Sequence, residues 1–203
     1  MTTTVAAGTL LAAALAPVTA HVAVRTAHER IDHPTQIRAV LVMLAAIFGG
    51  VAAARQGLPA VAAALPALVP ATAAAAVDAH ERRLPDPLTA ALGLVVSVQV
   101  TVSLVLGDES GFRGASVFVC GATFCLLAKA LLPDAIGWGD VKLAPSLAAL
   151  LAVHGWSAVY IGLLAWCVLV LTTALLDLAR HTPAGIVAYG PALVAGTACG
   201  IAS

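Results

Sequence analysis

The sequence predicts an all-α fold, a polytopic transmembrane helical bundle that forms one integral membrane domain over residues 1–203. The chain is 61% hydrophobic and only 10% charged, whereas soluble domains carry roughly 25% charged residues. Its mean hydropathy is +1.01, a strongly apolar value. Most of the polar residues lie between long apolar stretches, which is the pattern of membrane-spanning helices joined by short loops.

The apolar stretches number eight, and we expect about eight transmembrane helices. A span needs about 20 apolar residues, and the stretches cover residues 3–24, 38–54, 57–77, 88–107, 115–132, 143–154, 156–179 and 188–202. The sixth and eighth are short enough to be tilted, half-buried or non-spanning, so seven helices is the alternative count. We expect the first stretch to be a helix with its N-terminus outside, because the first positive charge, Arg25, follows it. The Val18-Thr19-Ala20 triplet leaves a secretory signal as the alternative.

Lysine and arginine residues are distributed unevenly between the two sides that this count defines. The inner side takes Arg25, Arg30, Arg38, Arg82, Arg83, Lys129, Lys142 and Arg180, and the outer side takes Arg55 and Arg113. Because positive charge marks the cytoplasmic side, the loops after the third and fifth stretches are predicted to be cytoplasmic.

The composition also argues against some partners and cofactors. The formal net charge is zero, which removes the electrostatic case for a nucleic-acid partner. The four cysteines, Cys120, Cys125, Cys167 and Cys199, form no Cys-x-x-Cys pair, so zinc-site spacing is absent. We expect them to be free, buried, small apolar side chains, with a disulfide or metal role as the lesser alternative. No metal and no other cofactor is expected.

Two short polar islands interrupt the apolar chain, the first at residues 77–86 and the second at residues 137–143. Each contains one aspartate at the edge of an apolar stretch, Asp78 in the first island and Asp140 in the second. An ionisable residue beside hydrocarbon is costly and therefore indicates function. Two carboxyl groups that approach one another can work as an acid and a base. For Asp78 alone, a plain membrane-edge carboxylate is an equal alternative.

The second island also contains the candidate substrate-binding residues. Gly137 and Gly139 lack a Cβ, which allows an extended substrate segment to approach the backbone closely. Lys142 either pairs with a carboxylate or lies in the lipid headgroup region, and the headgroup interpretation is favoured. Trp138 is interpreted as an interfacial anchor.

Both islands resemble motifs of the prepilin peptidases, the type 4 prepilin leader peptidase family of aspartic intramembrane proteases. In that family one aspartate precedes a Leu/Ile-Pro-Asp/Asn element, as Asp78 precedes Leu84-Pro85-Asp86 here. The second aspartate lies in a Gly-x-Gly-Asp-x-Lys-Leu motif, which residues 137–143 match at every fixed position. Tyr189-Gly190-Pro191-Ala192-Leu193 is similar to a weaker Phe-Gly-Pro-Phe-Leu element that begins the last helix. The similarity covers most of the chain from residue 38 onward.

The resemblance implies that Asp78 and Asp140 are the catalytic pair and that Asp86 and Asp134 lie outside it. It implies a membrane-embedded aspartyl endopeptidase that removes the N-terminal leader of a prepilin or pseudopilin, in type IV pilus assembly or protein secretion. Cleavage is expected at the inner boundary of a bacterial or archaeal cell membrane, with the active site facing the cytoplasm. Either aspartate can be the general base, and no oligomeric state is implied.

Longer members of that family carry a cysteine-containing cytoplasmic domain between the first and second helices and also N-methylate the trimmed pilin. The corresponding loop here, residues 25–38, contains no cysteine, so the chain resembles a short form and we expect no methyl transfer. A bifunctional peptidase and methyltransferase is one alternative. A small proton- or ion-coupled transporter that uses intramembrane carboxylates is another, although both aspartates lie at a membrane edge and no inverted repeat is evident.

Overall fold

The computed structural model describes residues 58–81, 83–133, 136–179 and 189–203, and these residues form six α-helices and no strand. The helices are α1 (Leu58–Glu81), α2 (Asp86–Val105), α3 (Glu109–Leu131), α4 (Trp138–His154), α5 (Trp156–Ala179) and α6 (Gly190–Ala202). The predicted all-α fold is confirmed for the described residues, and each helix corresponds to one of the last six apolar stretches. The first two stretches, 3–24 and 38–54, lie outside the described residues, so the count of eight helices is not confirmed.

The connections between the helices follow from local sequence. Pro85 precedes the first turn of α2 with an extended backbone, and Pro87 lies within that turn, where its missing N–H costs nothing. Gly107 turns the chain between α2 and α3 at a φ of 72°, a left-handed conformation that favours glycine. The side chain of Asp108 then caps α3 by accepting a hydrogen bond from the backbone N–H of Ser110 at 3.0 Å.

The two shortest helices are well buried, and α4 is central to the bundle. Helix α4 contacts each of the other five described helices. Its buried side chains form a nearly continuous run, namely Val141, Leu143, Pro145, Ser146, Leu147, Ala148, Ala149, Leu150, Leu151 and Ala152. Helix α6 has 13 residues and contacts α1, α4 and α5. Because apolar helices of this length are commonly core helices, the two short stretches of the sequence are core elements of the described bundle.

Two other helices have the opposite character. Helices α2 and α3 are long and apolar enough to cross a membrane, and much of their apolar surface is exposed. On α3 the outward side chains include Phe112, Val119 and Phe124, all more than half exposed. Exposed apolar surface of this extent is suited to lipid, so these helices suggest a membrane protein.

Helix α6 is fixed against α5 by small residues. A Cβ at Gly196 would lie 2.1 Å from Cδ1 of Trp166, and one at Gly200 would lie 2.5 Å from the carbonyl oxygen of Ala158, so both positions require glycine. The buried Nε1–H of Trp166 donates a hydrogen bond to Oγ1 of Thr197 at 3.2 Å. Close packing through small residues is typical of membrane helices, and here it fixes the position of the N-terminus of α6.

The cysteines differ from their predicted environment. All four are free, as expected, but none of them is buried. Cys125 is half-buried, while Cys120, Cys167 and Cys199 are exposed on outward faces of α3, α5 and α6. The prediction of burial was wrong because hydropathy identifies an apolar stretch without identifying which face of its helix is inside.

Candidate active site

Asp78 lies in the last turn of α1 and is 5% exposed. Its Oδ2 accepts a hydrogen bond from the backbone N–H of Gly190, the first residue of α6, at 2.9 Å. A Cβ at residue 190 would lie 2.8 Å from the same carboxylate oxygen, so only glycine allows this approach. Since the first N–H groups of a helix have no partner within the helix, the start of α6 supplies Asp78 with a fixed donor.

Asp140 lies in the first turn of α4, directly after Gly139. The apolar stretch begins at residue 143, but the helix begins at Trp138, because a polar first turn is invisible to hydropathy. Gly137 is the N-cap residue of α4, and its backbone forms a hydrogen bond with the Asp140 side chain. A Cβ at Gly137 would lie 3.2 Å from Asp140 Oδ2. The N-terminal end of the helix favours negative charge at this position.

The two islands contact each other at two points. A Cβ at Gly139 would lie 2.5 Å from the Cβ of Leu84, so the absence of a side chain at Gly139 lets the islands pack together. The Nζ of Lys142 lies 2.6 Å from Oδ1 of Asp86. Of the two interpretations of Lys142, the structure shows the pairing with a carboxylate, and that carboxylate belongs to the other island. Both side chains are largely exposed, so this ion pair orients the islands more than it stabilises the fold.

The pKa values of the two aspartates are coupled. Both lie outside the two helices that are suited to crossing the membrane and just beyond the apolar stretches beside them. Burial, the larger cause, and the charge on Asp78 together raise the pKa of Asp140 from 3.8 to about 6, while the Gly137 hydrogen bond opposes both. Burial also raises the pKa of Asp78, against the lowering effect of the Gly190 N–H. Two carboxyl groups in this relation can share one proton at mildly acidic pH.

Three residues that contact the two islands or the loop before the second island had no predicted role in the site. Gly190 belongs to the motif at residues 189–193, but nothing in the sequence indicates its hydrogen bond to Asp78. Leu84 was seen only as part of a motif, and Lys129 only as a positive charge that indicates topology. Asp134, expected to lie outside the pair, falls outside the described residues. Among the residues that the structure does describe, no three His, Cys, Asp or Glu side chains are grouped closely enough to bind a metal ion.

Two membrane-length apolar helices in a helical bundle suggest a membrane protein, and the charge of Asp78 acts on the carboxyl group of Asp140 within it. Residues 65–175, more than half of the chain, match the sequence model of the type IV leader peptidase family. The chain belongs to this family, which confirms the resemblance and indicates a peptidase, a hydrolase of peptide bonds. The matched segment contains both aspartates. No curated protein and no solved structure matches the chain.

Proposed function

We propose that the protein is a membrane-embedded aspartyl endopeptidase that removes the N-terminal leader of a prepilin-like precursor. The observation that carries the proposal is the buried Asp78 in electrostatic contact with Asp140, whose pKa is raised to about 6. Perturbed carboxyl groups of this kind are characteristic of catalytic sites. The family of the chain supports peptide-bond hydrolysis as the reaction.

In this proposal the two aspartates have different roles. Asp78 is the general base, because the Gly190 N–H stabilises its ionised form. Asp140 carries the shared proton, because burial and the negative charge of Asp78 disfavour its ionisation. Asp78 removes a proton from a water molecule, the water oxygen attacks the scissile carbonyl carbon, and Asp140 donates its proton to the carbonyl oxygen. Collapse of the tetrahedral intermediate then breaks the C–N bond: one hydroxyl group returns its proton to Asp140, and the amine leaves with the proton held by Asp78, so the pair regains its starting state.

The protonation states give an expected pH profile. Activity requires ionised Asp78 and protonated Asp140. It therefore falls on the acid side as Asp78 takes up a proton, and on the alkaline side as Asp140 loses its proton near its pKa of about 6. The two limbs belong to the pair, since each carboxyl group changes the titration of the other.

The proposed substrate is a precursor with a short charged leader followed by an apolar helix. The leader remains in the cytoplasm and the helix lies in the bilayer, so the scissile bond reaches the inner boundary of the cell membrane. Gly137 is exposed beside Asp140 and is the proposed point of backbone approach. Gly139 contacts Leu84, so its contribution is to shape the site, and Lys142 is proposed to bind substrate from its position on Asp86.

The test is cleavage of a purified precursor that contains a charged leader and an apolar helix of about 20 residues. Wild-type protein in liposomes should release the leader, with the new N-terminus read by mass spectrometry. Asp78→Asn and Asp140→Asn should each lower kcat by about a thousandfold or more, and the double variant should be no worse, because the pair acts as a unit. Glu109→Gln is the matched control, since this carboxyl group begins α3 away from both islands.

Two results would count against the proposal. The first is a single aspartate variant that cuts at a near wild-type rate while being inserted normally. The second is a pair of findings: the wild-type protein leaves the precursor intact but carries a proton flux across the liposome membrane, and replacing either aspartate abolishes that flux. This is the behaviour of the transporter alternative.

A further inference from the structure

The loop that leads into the second island is bound by a lysine from the preceding helix. Lys129 is in the last turn of α3, and its Nζ donates hydrogen bonds to the carbonyl oxygens of Pro133 and of Ile136, the latter at 2.7 Å. The same ammonium group lies 5.7 Å from the centre of the Trp138 ring, within the range of a cation–π interaction. One side chain therefore contacts both ends of the connection between α3 and α4.

These contacts lie directly before Asp140 in the chain. Ile136 precedes Gly137, whose backbone hydrogen bond lowers the pKa of Asp140. A bond from Lys129 to the Ile136 carbonyl fixes the peptide unit that carries the Gly137 N–H, because the two groups belong to the same planar amide. Lys129 is half-buried and acts through the backbone, without an ion pair to Asp140.

The opposite end of α3 provides a natural comparison. There the Nε–H of Arg113 donates a hydrogen bond to the carbonyl oxygen of Ala152 in α4, at 2.6 Å. Both cations join α3 to backbone carbonyls, and both are half-buried. They differ in place, since Arg113 contacts the last turns of α4 whereas Lys129 contacts the residues before its first turn.

We propose that Lys129 is a positioning residue, which fixes the peptide between Ile136 and Gly137 so that the Gly137 N–H points at the carboxyl group of Asp140. This inference rests on the proposed function for its kinetic consequence, but the geometric claim can be tested without activity. The titratable groups that interact with Asp140 include Asp78 on α1 and Cys125 on α3. Neither is altered by a change at Lys129.

The experiment compares Lys129→Met with Arg113→Met and Lys129→Arg in liposomes that contain the full chain. Lys129→Met should lower kcat by about tenfold to a hundredfold with little change in KM, because a loosened loop misplaces a catalytic group. Its alkaline limb should move to higher pH, because the lost Gly137 bond no longer lowers the pKa of Asp140. Arg113→Met should lower thermal stability without shifting the pH profile. Lys129→Arg keeps the positive charge and the donors, so it should retain most of the wild-type activity.

A second measurement, hydrogen exchange of the amides of residues 136–141, reports on the loop whether or not the precursor is cut. Exchange should be about tenfold faster in Lys129→Met than in wild type and unchanged in Arg113→Met. If Lys129→Met does not fold, Lys129→Gln, which keeps one donor, replaces it. Unchanged exchange, or a lower stability with an unchanged pH profile, overturns the inference. A wild-type protein that does not cut the precursor contradicts the proposed function but leaves the exchange result to decide this one.

Discussion

The two aspartates receive their hydrogen bonds in different ways. Asp78 accepts a bond from Gly190, 112 positions further along the chain, so its environment depends on the docking of α6. Asp140 interacts with the backbone of Gly137 within its own island, so its environment is largely local. The comparison shows that one half of the pair is built by tertiary packing and the other by a short motif.

This difference gives the two carboxyl groups different tolerance to change. The bond to Asp78 joins two buried helix ends, which cannot move apart without disturbing the packing of α6 on α5. The bond to Asp140 belongs to an exposed helix start, where the carboxyl group needs to move only a few tenths of an ångström to accept a methyl group at residue 137. Substitutions of the two glycines therefore test the comparison directly.

The largest effect is expected for Gly190→Ala. The new methyl group would lie 2.8 Å from Asp78 Oδ2 and 3.2 Å from its Cβ, so the carboxyl group or the start of α6 must move. We expect kcat to fall by about a hundredfold, as for other displaced catalytic groups. Gly137→Ala is the matched variant, with a methyl group 3.2 Å from Asp140 Oδ2 at an exposed position, and it should cost only about tenfold. Equal losses in the two variants would contradict the comparison.

The next effect concerns stability. The pKa of Asp140 is about 6 in the folded protein, above the ordinary value of 3.8. At low pH the Asp140 carboxyl group is protonated in both the folded and the unfolded protein. As the pH rises, the unfolded chain loses this proton first. The folded state therefore loses stability with rising pH until the pH passes the folded pKa. Asp140→Asn removes this cost, so it should stabilise the protein by at most about 3 kcal/mol above pH 6 and by little near pH 4.

Thermal unfolding in detergent at several pH values measures this gain. Glu109→Gln, which replaces a carboxyl group at the start of α3, away from both islands, is the control. A destabilised Asp140→Asn protein at neutral pH would mean that the ionised carboxylate stabilises the fold, contrary to the burial of this group.

The sequence predicted the helices well, because each described helix contains an apolar stretch that hydropathy detects. It placed the helix starts less well, since the first turns of α3 and α4 are polar and begin before the apolar stretches. Asp108 carries a recognisable capping signal, whereas the start at Trp138 has no side-chain cap. The start of α4, which includes Asp140, was therefore missed because it has neither an apolar first turn nor a capping side chain.

The candidate site was predictable only where its contacts are local. Both aspartates were found from their polar islands, and the island around Asp140 contains the glycine that bonds to it. The contacts of Gly190 with Asp78 and of Lys142 with Asp86 join residues far apart in sequence. A single sequence does not indicate such pairs, because each donor could form a hydrogen bond with any of several acceptors elsewhere in the chain.

The smallest effect is expected at the ion pair between the islands. Lys142 and Asp86 are 48% and 77% exposed, so their attraction is screened and contributes roughly 0–1 kcal/mol to stability. Lys142→Asp and Asp86→Lys should each lower kcat/KM several-fold, because like charges then face each other across the islands. The charge-swapped double variant restores an opposite pair in the same place and should recover the part of the loss that comes from the ion pair, while the part that comes from substrate binding by Lys142 remains, as kinetics of precursor cleavage would show. If kcat/KM of the double variant is as low as that of Lys142→Asp, the whole loss comes from the missing contact between the Lys142 ammonium group and the substrate, and the ion pair contributes nothing to catalysis. If high salt fails to weaken the effect of the single variants, the contact is less exposed to solvent than its geometry indicates.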